Sequence, residues 1–200
     1  MELFSRSLHK IQPVHLDRSP VDNSPVSLEP YAQPQYYAAV VINTFLGNSA
    51  SRSRITEISF GSSNSTSTNS TSTNSTNSTQ PTAARYVSGY AAYENGLLSR
   101  AVFINLRPYL SSTTAPRGSF NLDITVPTSG GYGSLPVPSS YCVRRLKIGY
   151  ADDTKGLEFA GISYETSDGL PSGRDTFECA SYGTPVEISD TEAVLVTYRF

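Results

Sequence analysis

The sequence predicts a mainly β chain, an antiparallel β-sandwich of about seven to nine strands preceded by one helix. Three observations carry this. Short runs with an apolar alternation of two recur between turn residues from Arg54 to Phe200. Asn95-Gly96 joins two of them, and Asn-Gly accepts the positive φ that a two-residue hairpin requires. Only one stretch, Pro34 to Gly47, carries a helical period. A closed barrel is the structural alternative.

The elements follow in order. Met1 to about Gln33 is rich in Pro, Ser and Asp without a sustained period, and reads as irregular connection. Pro34 then opens QYYAAVVINTFLG, in which Tyr37, Val41 and Phe45 fall four apart, Val40 joins their face and Gly47 closes the helix. In RITEISF the period becomes two. Residues 62–79 read SSNSTSTNSTSTNSTNST, which can line no core. This tract is expected to be a disordered surface loop, because it buries nothing to offset the entropy of ordering.

ARYVSGYAAY and LLSRAVFINL form the arms of the Glu94-Asn95-Gly96 hairpin. In the second arm Leu98, Val102 and Ile104 alternate with Ser99, Ala101 and Phe103. Apolar residues on both faces imply a central strand. FNLDITV sets Phe120, Leu122, Ile124 and Val126 on one face. YCVRRLKI is less clean, with Cys142, Arg144 and Leu146 opposite Val143, Arg145 and Lys147. LEFAGISYET and RDTFECAS surround the turn residues Asp168, Gly169 and Gly173, and PVEIS and EAVLVTYRF close the chain. Two segments result: 1–47, irregular with one helix, and 48–200, the sandwich.

With 200 residues, 38% of them hydrophobic, one core is the expectation. The formal net charge of -2 supplies no basic stripe for phosphates, so neither nucleic acid nor an anionic membrane is an expected partner. No apolar stretch approaches the roughly 20 residues a membrane helix needs. The first residues lack the long apolar core of a signal peptide, whereas Asn64, Asn69, Asn74 and Asn77 each open an Asn-x-Ser/Thr triplet, a glycan acceptor in the secretory pathway. That conflict marks the chain as an expected piece of something longer. Cys142 and Cys179 are the two cysteines. They would pair across strands in an oxidising compartment or stay buried thiols in a reducing one.

Groups able to do chemistry are scarce. No G-x-S-x-G elbow occurs. His9 and His15 lie in the irregular segment without partners at metal-ligand spacing, and Gly130, Gly131 and Gly133 open no helix that could cradle phosphate. Asp152 and Asp153 read as solvated turn acids, and Glu94, Glu165, Asp168, Glu187 and Asp190 sit at strand ends. No spacing pairs two of them across a sugar bond. The 13 tyrosines include candidates for stacking on sugar rings, though tyrosine is also an ordinary strand residue.

IQPV (11–14), QPQYYAAVV (33–41), SGYAAYENGLLSRAVFINLRPY (88–109), VRRLKIGYADDTKGLEFAGISYETSDGLPSG (143–173) and ISDTEAVLV (188–196) resemble the C-terminal part of fungal glycoside hydrolase family 79 proteins, the β-glucuronidase-like group. The resemblance spans nearly all of the chain outside the first ten residues and the Ser/Thr/Asn tract. It implies a secreted, extracellular parent, a retaining hydrolase of β-glucuronide-type glycosides. In that parent a (β/α)8 barrel carries both catalytic glutamates upstream of the matched segment. It further implies that residues 34–47 are the last barrel helix, with an apolar stripe packing on the barrel. The chain alone is then an accessory sandwich, catalytically silent, with no catalytic residue, metal or cofactor; a carbohydrate-binding or secreted structural module is the alternative. Its expected partners are the barrel and carbohydrate.

Overall fold

The computed structural model describes residues 14–15, 31–47, 53–58, 60, 86–124 and 136–200. One helix and thirteen strands occur among them. Two pairs of residues, β1 (Val14–His15) and β2 (Tyr31–Ala32), form a short antiparallel contact inside the segment expected to be irregular. Helix α1 runs from Pro34 to Leu46. Proline suits its first turn, where the missing N–H has no partner to lose. Gly47 ends it at φ 67°, donating its N–H to the Asn43 carbonyl at 2.9 Å.

The strands that follow are β3 (Ser53–Ile58), β4 (Val87–Glu94), β5 (Leu97–Asn105), β6 (Ser119–Leu122), β7 (Ser140–Lys147), β8 (Glu158–Phe159), β9 (Ile162–Ser163), β10 (Ser172–Gly173), β11 (Glu178–Ser181), β12 (Val186–Ser189) and β13 (Ala193–Arg199). Nine of them build one antiparallel sheet in the order β10-β9-β8-β7-β13-β5-β4-β3, with β11 pairing a second stretch of β7. The last strand therefore lies near the middle, between β5 and β7. Its place explains its composition, because Ala193 to Val196 are all buried, as a strand covered on both faces requires.

Strands β6 and β12 pair with each other as a small second layer. Leu122, Ile124, Val186 and Ile188 face Val143, Val194 and Val196 of the large sheet, and this is the sandwich core. On the opposite face of the sheet lies a second core. Tyr37, Val41 and Phe45 of α1 pack there with Ala92, Val102 and Leu195, joined by Leu157 and Phe159. Each fully buried side chain of that size contributes roughly 1.5–3 kcal/mol relative to exposure. The helical stripe expected to pack on a barrel outside this chain instead covers the sandwich's own sheet.

One strand face also differs from the simple alternation. Leu98 belongs with Ala101 and Phe103 in the sandwich core, opposite Val102. The β4–β5 ladder shifts register between Ala92 and Tyr93, which pair with Arg100 and Leu98 and leave Ser99 over. An extra residue of this kind turns the preceding side chain to the other face. The hairpin is as expected: Asn95 and Gly96 have φ values of 51° and 83°. Val126, the Ser/Thr/Asn tract and Gly130, Gly131 and Gly133 lie outside the described residues. Among those described, no helix is long and apolar enough to cross a membrane.

Candidate functional site

Several of the described acids are held by turns. Glu94, at the end of β4, pairs with Arg100 and accepts the Ser99 hydroxyl at 3.2 Å. Asp152 accepts the hydroxyl and the backbone N–H of Ser111, at 2.6 and 2.9 Å, and these bonds hold its carboxyl below the usual range. Asp153 accepts the Tyr150 N–H at 2.7 Å. The two carboxylate oxygens of Glu165 take the N–H groups of Gly156 and Leu157, both at 2.9 Å. Asp168 accepts from the Leu170 N–H and the Thr166 hydroxyl, which lower its pKa in that order. A carboxylate bonded in this way fixes a loop and is already satisfied.

Two acids among the described residues are buried. Asp190, 6% exposed, accepts from the Asn105 side-chain amide at 3.2 Å and lies 3.7 Å from Arg107. Glu192, 8% exposed, accepts from Arg145 at 3.1 Å and from the Ser189 N–H at 2.7 Å. Both are paired, as buried charge requires. Nearby Arg117 donates to the carbonyl oxygens of Asp190 and Ile148, at 2.6–2.9 Å, and so ties two loops of one sandwich end. Sequence reading missed Arg117, Arg145 and Glu192. For Arg145 and Glu192 the available signal was a charged side chain inside or beside an apolar run.

The tyrosines mostly pack on one another. Tyr37 is fully buried, with Tyr36 and Tyr164 edge-on to it and to each other. Tyr109 and Tyr150 stack at 5.2 Å, and the Arg117 guanidinium lies 5.8 Å from the Tyr109 ring centre. Tyr141 and Tyr198 are buried in the sandwich core, where Tyr198 sits with its phenol pushed well above its ordinary range, mainly by burial. Tyr90 alone among the tyrosines described is counted with the exposed large side chains, at 39%.

The surface of the described residues carries small openings. A cavity of about 150 Å³ lies where the sandwich layers part, lined by Phe60, Tyr93, Leu98, Asp123, Ile124 and Tyr198 among others. A smaller one, about 80 Å³, lies where β7 changes partner from β11 to β8, beside Arg145, Lys147 and Phe177. No cluster of metal-ligating side chains occurs among the described residues. Outward from the sheet, α1 leaves Ile42 and Leu46 exposed at 54% and 43%.

Cys142 and Cys179 are joined as a disulfide between β7 and β11. Asn64, Asn69, Asn74, Asn77 and His9 lie outside the described residues, and His15 is described only as part of β1. Glu187 is an exposed position of β12.

No curated protein matches the chain. Among solved structures, a 4-O-α-L-rhamnosyl-β-D-glucuronidase from Fusarium oxysporum is similar at 24% identity with a TM-score of 0.45. The match covers 56% of this chain and 23% of that one, so the chain spans about a quarter of that enzyme's length. The model of the glycosyl hydrolase family 79 C-terminal beta domain matches residues 89–195, from within β4 to the first residues of the central strand β13. The chain thus belongs to the glycosyl hydrolase family 79 C-terminal beta domain family.

Proposed function

We propose that this chain is the accessory β-sandwich of a family 79 glycoside hydrolase, working beside a catalytic barrel that supplies the acid and nucleophile glutamates. The family match carries this reading. Two features support it. The described acids Glu94, Glu165, Asp190 and Glu192 are each engaged by a hydrogen-bond donor of the chain itself. Ile42 and Leu46 form an exposed apolar ridge on α1, whose inner stripe is already occupied by the sheet. The barrel is the partner we assign to that ridge. The parent activity is hydrolysis of β-glucuronide-type glycosides. Secretion and glycosylation at the Asn-x-Ser/Thr triplets belong to the same reading, which the disulfide favours.

The test is to assay the purified chain on an aryl β-glucuronide, alone and mixed with a family 79 barrel. No turnover alone, and association with the barrel that Ile42→Glu abolishes, is the expected result. Turnover by the chain alone, lost on changing one of its carboxylates, would overturn it.

A further inference from the structure

Cys142 and Cys179 stand directly opposite one another in the antiparallel register of β7 and β11. Their surroundings are unequal. Cys142 is 3% exposed and belongs to a strand that pairs with β13 at seven positions. Cys179 ends an exposed run that extends from residue 171. Its strand β11 is four residues long and pairs, among the described residues, only with β7. The segment around Cys179 is also held by ionic contacts: Arg144 reaches both oxygens of Asp175 at 3.0 and 2.8 Å, and Arg145 lies 3.5 Å from Glu178. One end of the bond therefore belongs to a buried residue of an inner strand and the other to an exposed residue of a strand paired on one side.

We propose that Cys179 is a modification site, the sulfur at which a low-molecular-weight thiol enters, and that the exchange leaves the sandwich assembled. Attack on a disulfide goes to the sulfur that can be reached. The thiolate of the external thiol forms a new S–S bond with Sγ of Cys179. The electrons of the Cys142–Cys179 bond leave with Sγ of Cys142, which takes a proton from solvent. Cys142 is thereby reduced, and the external thiol is oxidised into a mixed disulfide on Cys179. A second equivalent attacks the external sulfur of that adduct, releasing the Cys179 thiol and a symmetrical small-molecule disulfide.

Neither apolar core includes the bond. Tyr141 and Val143 of β7 remain packed in the sandwich core, and the β7–β13 ladder is intact without β11. Reduction should therefore loosen the edge formed by β11 and the exposed residues before it.

The experiment treats the oxidised full chain with reduced glutathione in native buffer, quenches with acid and maps the adduct by peptide mass. The adduct should lie on Cys179 at least about tenfold over Cys142, with the far-ultraviolet circular dichroism unchanged. An adduct chiefly on Cys142, or none until denaturant unfolds the chain, would overturn the proposal. Single variants add a second reading: the remaining thiol of Cys142→Ser should be alkylated by iodoacetamide at least about tenfold faster than that of Cys179→Ser. Equal rates would also refute it.

Discussion

The hydroxyl oxygen of Tyr37, in α1, accepts the backbone N–H of Tyr164 at 2.9 Å and lies 3.3 Å from the Ser163 hydroxyl. Residues 126 and 127 apart in sequence are joined there beneath a side chain with no exposed surface. The bond satisfies an N–H at the point where the chain leaves β9, and it sets the helix at one height on the sheet. Tyr37→Phe keeps the ring and leaves that N–H unmet, so the unfolding free energy should fall by about 1–3 kcal/mol. Tyr37→Ala should lose about 3–5 kcal/mol, because it also opens a cavity. Urea denaturation of the purified chain measures both.

The other end of α1 is held by Arg100. Its Nε donates to the Phe45 carbonyl at 2.7 Å and one terminal nitrogen to that of Leu46 at 3.1 Å, while Glu94 balances its charge. Those carbonyls have no partner within the helix. Arg100→Met should lower stability by roughly 1–3 kcal/mol and speed amide exchange over the last turn of α1. Gly47 is tied to the same contact: its φ is positive, and a Cβ there would come within 2.6 Å of the Arg100 guanidinium. Gly47→Ala should be destabilising for both reasons, and Gly47→Ala with Arg100→Met should cost less than the sum of the two.

Removal of the disulfide by Cys142→Ser with Cys179→Ser should reduce stability by about 3–4 kcal/mol on the loop-closure model for a separation of 37 residues. Chemical denaturation of the double variant checks the magnitude. Retention of a cooperative transition is expected, since the two cores are apolar and separate from the bond.

Alkaline stability should follow Tyr198. Burial raises its pKa in the folded chain, with Tyr182, Tyr93 and Tyr141 adding to the effect. A phenol raised in this way stabilises the fold fully below its unfolded pKa, near 10, and that stabilisation is lost as pH rises above it. Tyr198→Phe should therefore flatten the alkaline fall in melting temperature, measured between pH 8 and about 11.

The acid limb involves Asp175, whose carboxyl is held low chiefly by its hydrogen bonds from Arg144. A depressed carboxylate stabilises the fold above its unfolded pKa of about 4, and the contribution is lost as pH falls through the lower folded value. Its side chain is 46% exposed, so the effect is small and salt-sensitive. Asp175→Asn should flatten part of the fall in stability as pH drops from about 6 through the acid range, measured by urea denaturation at each pH.

Local chemistry made much of this fold legible. The Asn95-Gly96 hairpin, the helix opened by Pro34 and closed by Gly47, and the alternation of β6 depend on residues close in sequence. Leu98 was not legible, because a bulge is defined by the partner strand and not by the strand that carries it. Nor were β1 and β2, which are two residues each and bear no period to detect. The alternation of β7 was ambiguous for a physical reason: Val143 enters the sandwich core while Leu146 packs toward the helix, so both faces are apolar.

The candidate site divided in the same way. Residue types alone showed that no G-x-S-x-G elbow occurs in the sequence, that two cysteines were available and that the matched motifs resemble family 79. What Tyr37, Val41 and Phe45 pack against was decided by the sheet, since a helical stripe specifies that it must be covered and not by what. The pairing of Cys142 with Cys179 was likewise decided by the register of β7 and β11, and the partners of Asp190 and Glu192 by loops brought together from distant parts of the chain. Periodicity and turn chemistry act over a few residues, so the sequence determined the elements; contacts across 37 to 127 residues belong to the tertiary fold alone.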